Sequence, residues 1–200
     1  MKQIYIYGAS GHGKVIADIA TANGYEIAGF IDDDENKSEF CALPCIRAEK
    51  IQKLPVAIAV GNNKARKEIF EKLKADGFEI PSLIHPSAVV STSALIGEGS
   101  VVMPNAAINP YAVIGTGCII NTAAVIEHDC KIGDFVHISP NAALAGGVSV
   151  GEMSHIGIGA SVIQLIKIGK RCIIGAGAAV ISDITDDATA VGVPARVLVK

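Results

Sequence analysis

Residues 113–138 read VIGTGCIINTAAVIEHDCKIGDFVHI, and within this stretch an isoleucine returns at every sixth position. The same spacing carries an aliphatic residue from Ile84 to Val180, at seventeen successive positions without a gap. A period of six fits neither the 3.6 residues of a helical turn nor the two of an ordinary strand. It fits a short strand and a tight turn, with three such units closing a triangular coil of about 18 residues and successive coils about 4.8 Å apart. The stretch predicts a parallel β-helix.

The residues around each aliphatic position follow the same register. Four positions later the side chain is mostly small, and one position later glycine or asparagine is frequent. We expect the aliphatic residue to fill the interior, the small residue to fit the corner, and the glycine or asparagine to make the turn. Cys118, Cys130 and Cys172 occupy the small position and are predicted to be core residues.

The composition excludes several classes of protein. Half of the 200 residues are apolar and the net charge is −3, so a sizeable core is expected. Lysine and arginine never cluster beyond pairs, which argues against nucleic-acid binding and against a polybasic membrane anchor. The sequence has neither a signal peptide nor a run of about 18 apolar residues, so we expect a cytoplasmic protein. Cys41 and Cys45 share a predicted loop, but no second pair or nearby histidine completes a zinc site.

The first 80 or so residues lack the six-residue repeat and have a different pattern of apolar residues. The predicted order is a strand over 4–7, a glycine-rich turn over 8–13, a helix over 14–23, and then strands over 26–31 and 56–60 and a helix over 64–75. This order predicts an α/β unit of the βαβ (Rossmann-like) type, with Ala65, Ile69 and Leu73 as the inward face of the second helix. Two prolines bracket the change of pattern, so we divide the chain into domains 1–82 and 83–200. A C-terminal segment should cap the last coil.

The motif Gly8-x-x-Gly11-x-Gly13 follows a strand and opens a helix. Small residues and free helix N–H groups in this arrangement can accept a phosphate. Asp32 and Asp33 end the next strand some twenty residues later, where a carboxylate takes a ribose hydroxyl in dinucleotide sites. Three strands are too few for NAD, so a nucleotide-sugar diphosphate fits the unit better. The alternative is a turn that merely needs glycine, which gives no reason for the histidine among the glycines.

His128 is the main candidate for chemistry. It lies in Glu127-His128-Asp129, where three polar residues interrupt the repeat, and Gly146, eighteen residues on, leaves space beside its ring. A histidine next to a carboxylate is a candidate general base. The alternative is an exposed histidine without a catalytic role.

Two further histidines follow the coil spacing. His137 and His155 are eighteen residues apart and should stack one coil above the other. His128 and His137 differ by nine, half a coil, so they should lie on different sides of one prism and meet only across subunits. A homotrimer with sites between subunits is therefore the expected assembly. These spacings do not reproduce a closely spaced zinc-binding pair of histidines, so we expect no metal.

Nearly the whole chain resembles one known family. The resemblance is carried by the segment 4–13, Asp32-Asp33, Gly61-Asn62-Asn63, the segment 125–128 and the segment 192–195. In these motifs the chain resembles the NeuD/PglD-type sugar acetyltransferases, which join a nucleotide-sugar-binding βαβ domain to a left-handed β-helix of hexapeptide repeats. The resemblance implies that 1–82 binds the nucleotide sugar and that 83–200 is a left-handed acetyltransferase domain.

The resemblance also implies roles for individual residues. A UDP-linked sugar would contact Ser10, Gly11, His12, Asp32, Asp33 and Gly61, while acetyl-CoA would contact His137, Gly146, Ile158 and Ala176, with its phosphates near Lys167, Lys170 or Arg171. His128 would be the general base. Asp129, at a position where the family commonly has Glu, would adjust the basicity of His128. The implied reaction is direct N-acetylation of the 4-amino group of a UDP-linked dideoxy or trideoxy sugar, for glycan or glycoprotein assembly.

Several alternatives stay open at the level of sequence. The acceptor could be a hydroxyl, as in sialic acid O-acetylation, and the nucleotide could be dTDP or GDP. A longer acyl chain is equally compatible with the spacing. From a different class, a non-catalytic nucleotide-sugar-binding scaffold fits the fold, but it gives no reason for Glu127-His128-Asp129 to interrupt a regular coil.

Overall fold

The fold consists of an N-terminal α/β unit packed against a parallel β-helix, as predicted. The computed structural model describes residues 2–198. Over that range no helix has both the length and the apolar character needed to cross a membrane.

The N-terminal unit is a five-stranded sheet with a helix on each face. Its elements are β1 Lys2–Tyr7, α1 Gly11–Ala22, β2 Tyr25–Ile31, β3 Glu39–Phe40, β4 Leu43–Ile46, a 3-10 turn Ala48–Lys50, β5 Val56–Ile58 and α2 Asn63–Ala75. The strand order is β3-β4-β2-β1-β5, parallel except for the β3–β4 hairpin. Alternate residues of β1 face opposite helices, since Ile4 and Ile6 share a core with α1 while Tyr5 and Tyr7 share one with α2.

The β3–β4 hairpin is absent from the sequence-based prediction, which left Cys41 and Cys45 in a loop. Its turn is made by Cys41 and Ala42, whose φ angles are 51° and 57°. Asn-Gly is the usual signal for such a turn, and Cys-Ala gives none. Cys41 is exposed at the turn, Cys45 is buried in β4, and both are free thiols.

The buried face of α2 also differs from the prediction. Its buried residues are Arg66, Phe70 and Leu73, whereas Ala65 and Ile69 are only half-buried. The predicted inward face is rotated from the observed one, because an arginine is expected on the exposed side. Arginine is rarely buried unless its donors are paired. Here the donors are paired, as described below.

The repeats form three parallel sheets. The strands are β6 Leu83–Ile84, β7 Val89–Val90, β8 Leu95–Ile96, β9 Val101–Val102, β10 Ala107–Ile108, β11 Val113–Ile114, β12 Ile119–Ile120, β13 Val125–Ile126, β14 Lys131–Ile132, β15 His137–Ile138, β16 Ala143–Leu144, β17 Ser149–Val150, β18 His155–Ile156, β19 Ser161–Val162, β20 Lys167–Ile168, β21 Ile173–Ile174, β22 Ala179–Val180, β23 Thr189–Val191 and β24 Arg196–Val197. The first sheet runs from β7 to β22, the second from β8 to β20, and the third from β6 through β21 to the capping strands β23 and β24.

The register of the β-helix is the predicted one. Ile120 pairs with Ile138 and Ile138 with Ile156, so each coil takes 18 residues. The second residue of each strand points inward, and small corner residues such as Ala124 and Ala142 are buried beside it. This continuous interior explains why an aliphatic residue returns at every sixth position.

The turns lie two residues later than predicted. From residue 99 to residue 177 the left-handed conformation falls three positions after the inward residue, as at Asn105 and Asp129, whose φ angles are 59° and 61°. The glycines one position after the inward residue have a different purpose. A Cβ on Gly97 would lie 2.5 Å from the carbonyl carbon of Gly115, and one on Gly151 would lie 2.6 Å from that of Gly169. Glycine is needed there because the next coil packs directly against it.

The outward residues of the third sheet attach the two parts to each other. Leu83, Val101 and Ile119 are buried against the core of the N-terminal unit. The next two residues of this ladder are His137 and His155, which are half-buried at the edge of the contact. The change from aliphatic to imidazole side chains marks where the two parts separate into a cleft.

Candidate functional site

The glycine motif shapes the start of α1. Helix α1 begins at Gly11, three residues earlier than predicted, so His12 and Gly13 lie in its first turn. Gly8 has a φ of 118° and its missing Cβ would lie 2.5 Å from the Ala59 carbonyl oxygen, and Gly13 is pressed against Gly8. A Cβ on Gly11 would meet nothing within 4 Å. Gly8 and Gly13 are therefore structural, whereas Gly11 and the exposed N-cap residue Ser10 present an open surface.

The two aspartates after β2 have different partners. Asp32 accepts hydrogen bonds from the Ala9 amide (3.0 Å), the Asp34 amide (3.0 Å) and the Lys37 ammonium (3.0 Å). Burial raises the pKa of Asp32, but these donors outweigh it and bring the pKa below its ordinary value. Asp32 therefore holds the glycine turn in place. The Asp33 carboxylate is exposed, and its partner is the Tyr7 hydroxyl at 3.2 Å from each oxygen.

Three histidines meet where the two parts join. His12 comes from α1, His137 from β15 and His155 from β18, and the rings of His137 and His155 are stacked with centroids 4.6 Å apart, as predicted. Asn121 donates to His137 Nε2 at 3.0 Å, and Ser139 Oγ lies 2.8 Å from His155 Nε2. His12 Nε2 and His137 Nδ1 are buried and have no hydrogen-bond partner within residues 2–198.

Burial and positive charge keep these imidazoles neutral. Burial and the charge of Arg66 lower the pKa of His12 to about 4. Burial, followed by the charges of His155, Arg66 and His12, lowers the pKa of His137 to about 3. The pKa of His155 is lowered by burial and then by Arg66. At neutral pH each ring therefore offers one donor and one acceptor and no charge.

A cleft of about 660 Å³ opens beside the histidine stack. Its walls include Gly61 from the loop before α2, His155 and Ser139 from the third sheet, and Ile158 and Ala176 from the corner that leads to the first sheet. A residue expected at the sugar nucleotide thus shares a cleft with two expected at acetyl-CoA. His137 lies behind His155, stacked on its ring.

His128 lies at a different corner, between the first and second sheets. Its Nδ1 is 2.8 Å from Asp129 Oδ2, and both side chains are exposed, at 61% and 63%. A Cβ on Gly146 would lie 2.6 Å from the imidazole, so the ring itself fills the space that the missing side chain was predicted to leave open. His128, Gly146 and Leu165 line a separate depression of about 350 Å³. One chain therefore carries two separate groups of site residues.

Four residues of the junction were not predicted as site residues from the sequence, namely Asn63, Arg66, Asn121 and Ser139. Asn121 and Ser139 each lie sixteen residues before the histidine that they contact. Wrapping the sequence at eighteen residues per coil would have placed each pair side by side. Nothing in the local pattern of α2 could have indicated a buried arginine.

Stability should fall as the pH drops below 6.5, because His12 and His137 are protonated more readily in the unfolded chain. Above pH 6.5 both rings are neutral in both states and contribute no pH dependence. Between 6.5 and the folded-state pKa values of about 4 and about 3, only the unfolded chain gains protons, so the free energy of unfolding decreases by on the order of a few kcal/mol. Urea unfolding at pH 7.5, 6.0, 5.0 and 4.5 measures this slope.

The control for this prediction separates histidine from carboxylate titration. A His12→Gln/His137→Gln variant should show a flatter dependence between about pH 4.5 and 6.5, and His85→Gln should not. An unchanged slope in the double variant would contradict the prediction.

Known proteins share both parts of this structure. Residues 3–73 match the family model described as the PglD N-terminal domain. Over 111 residues the chain is 47% identical to the UDP-N-acetylbacillosamine N-acetyltransferase of Bacillus subtilis (strain 168), and this match covers 51% of each protein, about half of the curated relative's length.

Solved structures match over the full length. The acetyltransferase domain of PglB from Neisseria gonorrhoeae FA1090 has a TM-score of 0.93 and 41% identity, covering 99% of this chain and 100% of that one. PerB from Caulobacter crescentus, solved with CoA and GDP-perosamine, has a TM-score of 0.92 and 38% identity, with 99% and 98% covered. The chain therefore belongs to the NeuD/PglD-type family of hexapeptide-repeat sugar acetyltransferases.

Proposed function

We propose that this protein transfers the acetyl group of acetyl-CoA to the 4-amino group of a nucleotide-linked amino sugar, with His128 as the general base. We propose UDP as the nucleotide, because the curated relative from B. subtilis is named for a UDP-linked sugar. The observation that carries the mechanism is the 2.8 Å contact between His128 Nδ1 and Asp129 at an exposed corner beside Gly146.

The geometry around His128 suits proton abstraction. A carboxylate accepts, so Nδ1–H donates to Asp129 and the lone pair of Nε2 is free to take a proton from the acceptor amine. As the amine nitrogen bonds to the thioester carbonyl carbon, Asp129 stabilises the imidazolium. The C–S bond then breaks and the proton passes to the departing thiolate. No covalent enzyme intermediate is required.

Gly146 is suited to a second role in this reaction. Its backbone N–H has no acceptor within the described part of the chain, and the imidazole of His128 packs against it in the space that a side chain would fill. An N–H directed at a developing oxyanion stabilises acyl-transfer transition states. We assign that role to Gly146, and assign Ile158 and Ala176 in the cleft wall to the pantetheine arm. We assign Lys167, Lys170 and Arg171 to its phosphates, because Arg171 lines the cleft, Lys170 precedes it in the chain and Lys167 begins the strand before them.

A homotrimer would bring the two groups of site residues together. The His128 corner and the first sheet beside it expose apolar side chains, with Tyr111 (69%) and Leu165 (73%) at the corner and Val89 (72%) on the sheet. Patches of this kind mark association surfaces. Packing this corner into the cleft of a neighbour would set His128 and Gly146 of one subunit against His137, Ile158 and Ala176 of the next.

The sugar nucleotide would bind along the N-terminal unit. Ser10, Gly11 and His12 at the open start of α1 are assigned to the diphosphate, and the exposed Asp33 to the base or ribose. Asp32 would act by holding the turn, since its oxygens already accept three hydrogen bonds. Gly61 would close the site from the loop before α2.

Acetyl transfer to a panel of acceptors tests this function. The protein would be incubated with acetyl-CoA and, separately, a UDP-4-amino-trideoxyglucose, a dTDP-4-amino sugar, GDP-perosamine and free sialic acid, with thiol release as the readout. Release with one 4-amino sugar nucleotide supports the proposal and identifies the nucleotide. Thiol release only with sialic acid would identify the reaction as O-acetylation. No thiol release with any of the four acceptors would overturn the proposed substrate class and favour a binding scaffold.

A further inference from the structure

Arg66 is the most unusual buried group in the protein. It is only 2% exposed, yet all five of its N–H donors have partners and none of these is a carboxylate. Burial lowers the pKa of Arg66 to about 10, which leaves it charged at neutral pH. A charge held in this way, by neutral acceptors from both parts of the molecule, fixes their relative position as long as every donor is paired.

The partners of Arg66 lie on both sides of the junction. On the N-terminal side its Nη1 donates to the carbonyls of Val60 (3.0 Å) and Gly61 (3.1 Å). On the β-helix side Nε donates to the Gly117 carbonyl (2.7 Å) and Nη2 to the Phe135 carbonyl (2.8 Å). One side chain therefore ties the Gly61 loop directly to two coils.

Asn63 extends the contact to a third coil. Its side-chain amide nitrogen donates to the Met153 carbonyl at 2.8 Å, while its side-chain oxygen accepts from Arg66 Nη2 at 2.8 Å. Gly117, Phe135 and Met153 are eighteen residues apart and occupy the same left-handed turn position in successive coils. Two residues of one helix thus cover a column of three equivalent carbonyls.

The spacing of the two elements explains the fit. Residues i and i+3 of an α-helix share a face and differ by about 4.5 Å along the axis. Coils of the β-helix differ by about 4.8 Å, the usual inter-strand distance. Within residues 2–198 no backbone N–H donates to the carbonyls of Gly117, Phe135 or Met153, so only side chains from α2 satisfy them.

We propose that Asn63 and Arg66 form a clamp that docks α2 on three successive coils and thereby fixes the Gly61–Lys64 wall of the 660 Å³ cleft. Both are positioning residues for substrate binding. The structural part follows from the hydrogen bonds, whereas the effect on kinetics rests on the proposed function.

The clamp is tested with Arg66→Met, Asn63→Ala and a matched control, Lys74→Met. Lys74 also joins α2 to the β-helix, through Glu98 at 2.7 Å, but this ion pair is at the surface. Hydrogen exchange at the amides of the first turn of α2 should accelerate at least about tenfold in both clamp variants and not in the control. Exchange in the β-helix core, for example at Ile138, should stay unchanged.

Kinetics distinguish positioning from simple loss of folded protein. Well below the unfolding temperature, the KM for the nucleotide sugar should rise about tenfold or more in both clamp variants, with kcat changed less than threefold. A loss of kcat in proportion to the folded fraction, at constant KM, would overturn the proposal. Hydrogen-exchange rates and KM values in the clamp variants equal to those of Lys74→Met would also overturn it. If Arg66→Met does not fold, Asn63→Ala decides.

Exchange and histidine titration remain informative even if the wild-type protein transfers no acetyl group. The groups that face Arg66 are His12 from α1, His137 and His155 from the third sheet, and Cys118 beside β12. Removing the charge in Arg66→Met should raise the pKa values of the three histidines, as measured by NMR titration. Asn63→Ala should leave these pKa values unchanged. Unchanged histidine pKa values in Arg66→Met would show that Arg66 does not lie beside these histidines, and would overturn its proposed position at the junction. Failure of the acetyl-transfer assay alone would reject only the proposed function.

Discussion

Replacing His128 with alanine should lower kcat by about 10²–10⁴-fold, because a positioned general base contributes that much to acyl transfer. The KM values should change little, since the imidazole acts on a proton and not on the bound groups. Stability should also be kept, because the side chain is 61% exposed and its partner is the neighbouring Asp129. Steady-state kinetics with the best acceptor and urea unfolding of the same samples check both expectations.

Two further variants sharpen the assignment of His128. Asp129→Asn retains the shape but removes the carboxylate, and should cost about ten- to a hundredfold in kcat, since hydrogen bonds to charged groups are worth about 1.5–3 kcal/mol. His85→Ala, outside both the cleft and the His128 depression, is the control and should retain full activity. Acetyl transfer by His128→Ala at near wild-type rate would remove His128 from the mechanism.

Replacing Gly146 with alanine should reduce kcat nearly as much as removing His128, while leaving the protein folded. The new Cβ would lie 2.6 Å from the Cε1 and Nε2 atoms of His128, so the ring must move. It can turn into solvent, and the backbone of Gly146 is not left-handed, so the free energy of unfolding should change by no more than about 0.5 kcal/mol. The proposed base His128, however, would be displaced from its site.

Gly151→Ala is the matched contrast. Its Cβ would lie 2.6 Å from the backbone of Gly169 and Lys170, which cannot turn away, so overpacking should cost about 1–3 kcal/mol of stability. The double variant His128→Ala/Gly146→Ala should be no slower than His128→Ala, because both changes remove the same interaction. A fully active Gly146→Ala enzyme, or one as destabilised as Gly151→Ala, would show that the imidazole does not move as expected.

The β-helix could be read from the sequence because its rule is local and repeated. One inward residue in six and one coil in eighteen residues fix the strands, the interior and the stacking of His137 on His155 without any long-range information. The left-handed turn position was misplaced by two residues, since glycine next to the inward residue serves the close packing of coils and not the turn. Asp129 occupies that position with a φ of 61°.

The N-terminal unit was less predictable, for a different reason. Its parallel strands have clear hydrophobic patterns, but the buried face of α2 includes Arg66 and was misplaced, and the β3–β4 hairpin turns on Cys41-Ala42, which carry no turn signal. Within this hairpin only β4 pairs with β2, fifteen residues earlier in the chain, and no repeat in the sequence signals this pairing. The sheet therefore has five strands where the pattern suggested three.

Sequence alone determined the architecture, the candidate base His128 and the glycine motif, because each depends on residues that are close in the chain or one coil apart. Only the tertiary structure decided that Arg66 is buried, that His12 lies close enough to His137 to influence its pKa, and that Gly61 faces Ile158 and Ala176 across one cleft. These features arise where α2 and α1 dock on the β-helix. Docking depends on matching a helix face to a column of carbonyls, and no periodicity within either element encodes that match.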